Sequence, residues 1–219
     1  MKKMLCLCLS AVMLACICCG CGKKEQKETE PQIVKVFELE NERITVENVS
    51  PYAGQYLEYG DVETVSGLYA MKLTNTGDQT INEAQLIFSD GTQELAFRLE
   101  MLPAGQSAIV AEQSQLAAAA EHLRYVDGNV SYLEAGLENT QSVKVTDNGD
   151  GTVKVENVTE EMLPLVRVFF RPTDGSGNPI GGPCRSFMVD GIEAGAAVNI
   201  TAEGWDESCV VVTVLVINE

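Results

Sequence analysis

Two stretches of this chain alternate apolar and polar residues in the same way, one lying 82 positions after the other (71 to 153). Met71, Lys72, Leu73 and Asn75 fall on Val153, Lys154, Val155 and Asn157; Ile81 falls on Leu163; Ala84, Leu86 and Phe88 fall on Val166, Val168 and Phe170. A period of two puts every second side chain on one face, which half-buried strands need and helices cannot use. Between the first pair of runs, Thr76-Gly77-Asp78 has turn composition. Each stretch therefore reads as strand, Asn-containing turn, strand. Two accounts fit the offset: a duplicated module, or two unrelated β units sharing a spacing that recurs easily.

The surrounding residues extend the β pattern. Ile44-Thr-Val-Glu-Asn alternates, residues 93–101 and 106–111 look like two more strands, and strand character returns around Val130 to Leu133. Ala104-Gly105 and Ala194-Gly195 precede similar short strands. The chain closes on Cys209-Val-Val-Val-Thr-Val-Leu-Val-Ile-Asn218, a run expected to lie between neighbouring strands, since exposing it on an edge invites aggregation. One segment departs from the pattern. Ser114 to Arg124 is rich in Ala and other strong helix formers, with Ser114 placed as a cap, and predicts one short helix in the first half. Short strands with frequent turn signals suggest antiparallel sandwiches, with a first domain over 33–138 and a second over 139–219.

The N-terminus is of another kind. Lys2 and Lys3 precede an apolar run, Met4 to Cys19, about 24 Å long as a helix and short of the ~20 residues that span a bilayer. Gly20 then stands before Cys21, and a polar stretch, Gly-Lys-Lys-Glu-Gln-Lys-Glu-Thr-Glu-Pro, follows. This arrangement resembles the lipoprotein signal family of bacteria, in which a peptidase cuts before a cysteine that carries diacylglycerol. The resemblance implies a signal peptide over 1–20, lipidation of Cys21 with Cys16 as the rival position, and a lipid-anchored tether over 21–32. It also implies residence at the extracytoplasmic face of the cell membrane. An uncleaved signal anchor is the competing account.

A second resemblance rests on Asn157, Val166-Arg-Val-Phe-Phe170, Asp174 to Asn178 and Ala194-Gly195. That order is similar to Ig-like modules of bacterial surface lipoproteins, closest to the FxLYD-type group. It implies two tandem Ig-like antiparallel β-sandwich domains in an all-β protein, and surface interaction rather than catalysis.

Charge and cysteine usage narrow the partners. The formal net charge is −17, which repels nucleic-acid phosphate and anionic head groups, so no nucleic-acid partner is expected. Six of the eight cysteines lie in the first 21 residues, leaving Cys184 and Cys209, either a disulfide or two free thiols. The only histidine, His122, sits in the helix-forming segment and reads as a solvated side chain. Asp147-Asn-Gly-Asp-Gly151 places glycines where an EF-hand needs ligands, so it reads as a hairpin turn, as does Asp174 to Asn178. No catalytic constellation, cofactor or metal site emerges, and a non-enzymatic interaction module is expected, with an unknown protein or envelope component as partner. The alternative is a small-ligand or glycan binder built on Trp205, Tyr52, Tyr56 and Tyr59, aromatics that could equally cover the ends of a sandwich.

Overall fold

A computed structural model describes residues 37–58, 61–113 and 123–218. These residues are all-β, with several antiparallel sheets and no helix. The helix expected over Ser114–Arg124 falls on 114–122, outside the described residues, while Leu123 enters the core and Arg124 opens a strand.

The N-terminal half contains β1 (Phe37–Leu39), β2 (Ile44–Glu58), β3 (Asp61–Asn75), β4 (Ile81–Ser89), β5 (Glu94–Leu102), β6 (Ser107–Ala111) and β7 (Arg124–Tyr132). One sheet has the order β1-β2-β3-β6, the other β5-β4-β7. Their inner faces meet in one core, where Leu73, Leu86, Phe88, Phe97 and Val110 are all fully buried. The alternation in the sequence explains that core: Ala84, Leu86 and Phe88 of β4 face inward, while Glu83 and Gln85 are exposed.

The C-terminal half contains β8 (Val143–Asp147), β9 (Thr152–Asn157), β10 (Leu163–Pro172), β11 (Arg185–Ile192), β12 (Ala197–Thr201) and β13 (Cys209–Ile217). Here the sheets run β12-β9-β8 and β11-β10-β13. Val153, Val155, Val166, Val168 and Phe170 form the heart of a second core. The strand after the Asn turn is central in its sheet in both halves, flanked by the next strand and by the last one. Asp147 to Gly151 is the β8–β9 hairpin turn, with Gly149 and Gly151 at φ of 75° and 80°.

The two asparagines sit at matching corners. Asn75 and Asn157 are fully buried. Each Oδ1 accepts from the backbone N–H two residues on, of Gly77 and Thr159, at 2.9 Å in both cases. Each Nδ2 donates to the carbonyl four residues on, of Gln79 (2.8 Å) and Glu161 (2.7 Å). Each also donates to the last residue of the neighbouring strand, Leu102 (2.9 Å) and Ile192 (3.0 Å). A carboxamide can accept and donate at once, so one side chain satisfies the backbone of a chain leaving one sheet for the other.

The terminal run meets expectation in part. β13 pairs with β10 along one side and with the short 137–139 segment along the other, so Thr213–Val216 are buried, while β10 holds the centre of the sheet. Both faces of β10 are covered, Val168 and Phe170 by the core and Phe169 and Arg171 by the N-terminal half, and that double coverage claims the central position. β13 is left at the flank, where Val210 and Val211 are each 38% exposed.

Candidate functional site

The densest polar construction lies where the halves meet, and it is built from residues that look ordinary in the sequence. β10 ends in Phe-Phe-Arg171-Pro, with a register shift between Phe169 and Phe170. Arg171 is fully buried. Its Nη1 donates to the Met101 carbonyl at 3.1 Å, and its Nη2 donates to Gly182 O at 2.9 Å and to Glu100 O. Met101 and Glu100 belong to β5 in the other half, so one guanidinium joins two strands about 70 positions apart in sequence (101 to 171). Met101 has a left-handed backbone, φ 45°, at the point where its carbonyl meets the arginine. Such a conformation costs a long side chain on the order of 1–3 kcal/mol and persists only where the surroundings hold it. Carbonyl oxygens replace the water of its Nη1 and Nη2 groups, which offsets part of the cost of burial, while Nε is buried without a hydrogen-bond partner among the described residues.

The connection from β10 to β11 forms the second contact. Ile109 N–H donates to Pro179 O (2.8 Å) and Gly181 N–H donates to Ile109 O (3.0 Å), a short parallel pairing with β6. Glu100 N–H donates to Gly182 O (2.8 Å), and the Tyr56 hydroxyl accepts from Gly182 N–H (3.2 Å) and Ala111 N–H (2.7 Å). A Cβ on Gly182 would fall closer than 3.0 Å to the Arg98 carbonyl oxygen, so glycine is required there by close approach.

Glu138 makes the third. Its carboxylate accepts from Thr80 Oγ1 (2.5 Å) in the N-terminal half and from Thr213 Oγ1 (2.6 Å) in β13. The same segment pairs antiparallel with β13, Asn139 N–H donating to Val214 O (3.0 Å) and Val216 N–H to Leu137 O (3.3 Å). Met101, Phe169 and Leu215 bury apolar surface between these polar contacts, supported by Leu133 and Leu137. A cleft of about 470 Å³ opens beside them. Leu102 and Pro103 form one wall and Val210 to Val212 the other, and Arg171 and Glu138 both line it.

The residues singled out in the sequence are dispersed. Trp205 is only 9% exposed and packs against Phe170 at a 5.1 Å ring separation, so it belongs to the second core and offers no surface to a partner. Tyr56 is buried with its hydroxyl engaged at the junction, which removes it as an exposed contact. Tyr52 is half-buried, stacked edge-on against Tyr56 at 6.3 Å. Cys21, Tyr59 and His122 lie outside the described residues.

Cys184 and Cys209 are free thiols. Cys184 immediately precedes β11 and Cys209 opens β13, and β10 lies between those strands. Two ladder steps of about 4.8 Å exceed the ~7 Å Cα reach of a disulfide. The Cys184 thiol instead faces Glu100 O (3.7 Å), and burial pushes its pKa up to about 11. Cys209 donates to Gly204 O (3.6 Å), and its thiol is also raised by burial.

Arg171, Gly182, Glu138, Thr80 and Thr213 were invisible as a group, because each gains meaning only from a partner in the other half. One local signal existed: Pro179-Ile-Gly-Gly-Pro183 places an apolar residue and two adjacent glycines in an otherwise polar insertion. No protein-family model and no curated protein matches this chain.

Proposed function

We propose that this chain is a non-catalytic surface lipoprotein, anchored through Cys21, that presents two Ig-like modules as one interlocked interaction unit at the cell envelope. The Cys18-Cys19-Gly20-Cys21 sequence supports the anchor, and the polar residues after it suit a tether. The observation that carries the interaction reading is the junction. Buried Arg171, the Gly182 contact and Glu138 all serve to fix one half against the other. The matching strand orders and corner asparagines support descent of the two modules from one duplicated unit. The residues 21–32 would hold the unit off the bilayer by about 20 Å in root-mean-square reach.

The test is photo-crosslinking in intact cells, with a photoreactive amino acid placed at exposed Met188, Val126 and Val211 in separate strains. A discrete envelope partner captured from at least one position supports the reading. Absence of any crosslink from all three, with the protein correctly localised, overturns it. Metabolic labelling with a palmitate analogue tests the anchor, and label retained after Cys21→Ser refutes it.

A further inference from the structure

We infer that Asn148-Gly149, in the β8–β9 turn, is a self-modification site: the Asn148 side chain closes on the Gly149 nitrogen, loses ammonia and reopens as aspartate or isoaspartate.

The chemistry needs an asparagine followed by a residue without a side chain. The backbone nitrogen of the second residue attacks the Cγ carbon of the first, and a Cβ on the second obstructs that approach. Asn148 alone among the asparagines of the chain precedes glycine; the others precede Glu, Val, Thr, Pro or Ile.

The turn adds three conditions. It is open: residues 146–151 are all exposed, and nothing lies within 4 Å of where a Cβ on Gly149 or Gly151 would stand. The backbone there rotates without displacing a packed neighbour, and glycine has the widest freedom to do so. The nucleophile also has a proton acceptor in place. Gly149 N–H donates to Asp147 Oδ1 at 2.9 Å, so the proton that must leave this nitrogen already points at a carboxylate. The leaving amide is held only at the surface. Asn148 Nδ2 donates to Thr152 Oγ1 (2.9 Å) and to Asn199 Oδ1 (3.3 Å), exposed bonds in which water can take either partner's place. The corner asparagines differ on each count. Asn75 and Asn157 are fully buried, their carboxamides carry buried hydrogen bonds, and the branched Thr76 and Val158 follow them.

In the first step the bond from Gly149 N to Asn148 Cγ forms and the Cγ–Nδ2 bond breaks. The Gly149 proton passes by way of Asp147 to the departing amine, and ammonia leaves a succinimide ring behind. In the second step one water molecule opens the ring. Cleavage at the side-chain carbonyl gives aspartate, and cleavage at the backbone carbonyl gives isoaspartate, whose main chain runs through the side-chain carbon. No other reactant enters. Both products add a carboxylate beside Asp147 and Asp150 and remove the Nδ2 link to Asn199 on β12. Isoaspartate also lengthens the main chain by a methylene in a hairpin whose strand β8 lies at the edge of its sheet. The turn thus changes its charge and its backbone with the age of the molecule.

The test holds the full chain in neutral buffer, digests samples over weeks and reads the peptides by mass spectrometry, with isoaspartate scored by an isoaspartyl methyltransferase. The Asn148 peptide converts to both products, about tenfold or more faster than any other asparagine peptide. Gly149→Ala slows conversion about tenfold or more by obstructing the nitrogen. Gly151→Ala, which strains the same turn and leaves the Asn-Gly pair intact, does not slow it. Asp147→Ala slows it about threefold or more by removing the proton acceptor. Conversion to aspartate alone overturns the inference, as does a wild-type rate in Gly149→Ala or Asp147→Ala. So does a folded chain that stays intact over the time in which the same chain in guanidinium converts.

Discussion

Replacing Gly182 with alanine tests the junction most directly. The substituted Cβ would meet the Arg98 carbonyl oxygen, a backbone atom in the middle of β5 that cannot swing aside as a side chain could. The 179–184 segment must then retreat by on the order of an ångström to restore van der Waals distance. Three hydrogen bonds converge on this residue: Glu100 N–H and Arg171 Nη2 donate to its carbonyl, and its N–H donates to Tyr56. At about 1 kcal/mol net for each, rising toward 2 where a buried partner is left unpaired, the cost is roughly 3–5 kcal/mol. For a protein of this size that lowers the melting temperature by about 6–15 °C. Circular dichroism during heating and guanidinium titration both read the effect. Gly175 is the control, because an added Cβ there meets nothing within 4 Å, so Gly175→Ala melts like wild type. If Gly182→Ala melts within 2 °C of wild type, the reasoning about close approach is wrong.

The corner asparagines give a paired prediction. Asn75→Ala and Asn157→Ala each leave buried backbone groups unsatisfied and cost about 2–4 kcal/mol in chemical denaturation; a loss under 1 kcal/mol at either corner refutes their structural role. Trp205→Ala removes a core ring and costs about 3–5 kcal/mol, and an unchanged stability would return Trp205 to the surface. Cys184 sets an alkaline limit. Its folded thiol keeps its proton to about pH 11 while the unfolded thiol loses it near 9, so its contribution is complete below pH 9 and is lost as pH rises toward 11. That slope amounts to about 2–3 kcal/mol, and pH-dependent denaturation of Cys184→Ala, in which it is absent, checks it.

The strands were legible because alternation is a property of the local sequence. Ala84, Leu86 and Phe88 declare an inward face whatever packs on it. The asparagine corners were legible as an offset, though their hydrogen bonds were not. The junction was illegible for a physical reason. An arginine in a strand is ordinarily solvated, and nothing near Arg171 announces that carbonyls of Glu100 and Met101 will take the place of water. Trp205 is the opposite case: a polar loop carries it, yet its ring folds back onto Phe170, the covering role that a lone tryptophan before the last strand suggests. The placing of β13 was legible in part: Thr213–Val216 lie between β10 and the 137–139 segment, but a uniformly apolar run does not say where burial stops, and Val210 and Val211 are exposed.

The link from the central strand of each three-stranded sheet to the strand that follows it differs sharply between the halves. In the first, four residues, Asp90–Gln93, join β4 to β5; in the second, Thr173–Cys184 join β10 to β11 and reach across to grip β6. The contact is therefore directional: the second half carries the hook and the first supplies the eye. A unit placed ahead of the first half would find no hook on it, so a contact of this kind has a polarity. The short turn at Asp90–Gln93 gives the first half nothing to reach out with, so in this contact it can only receive.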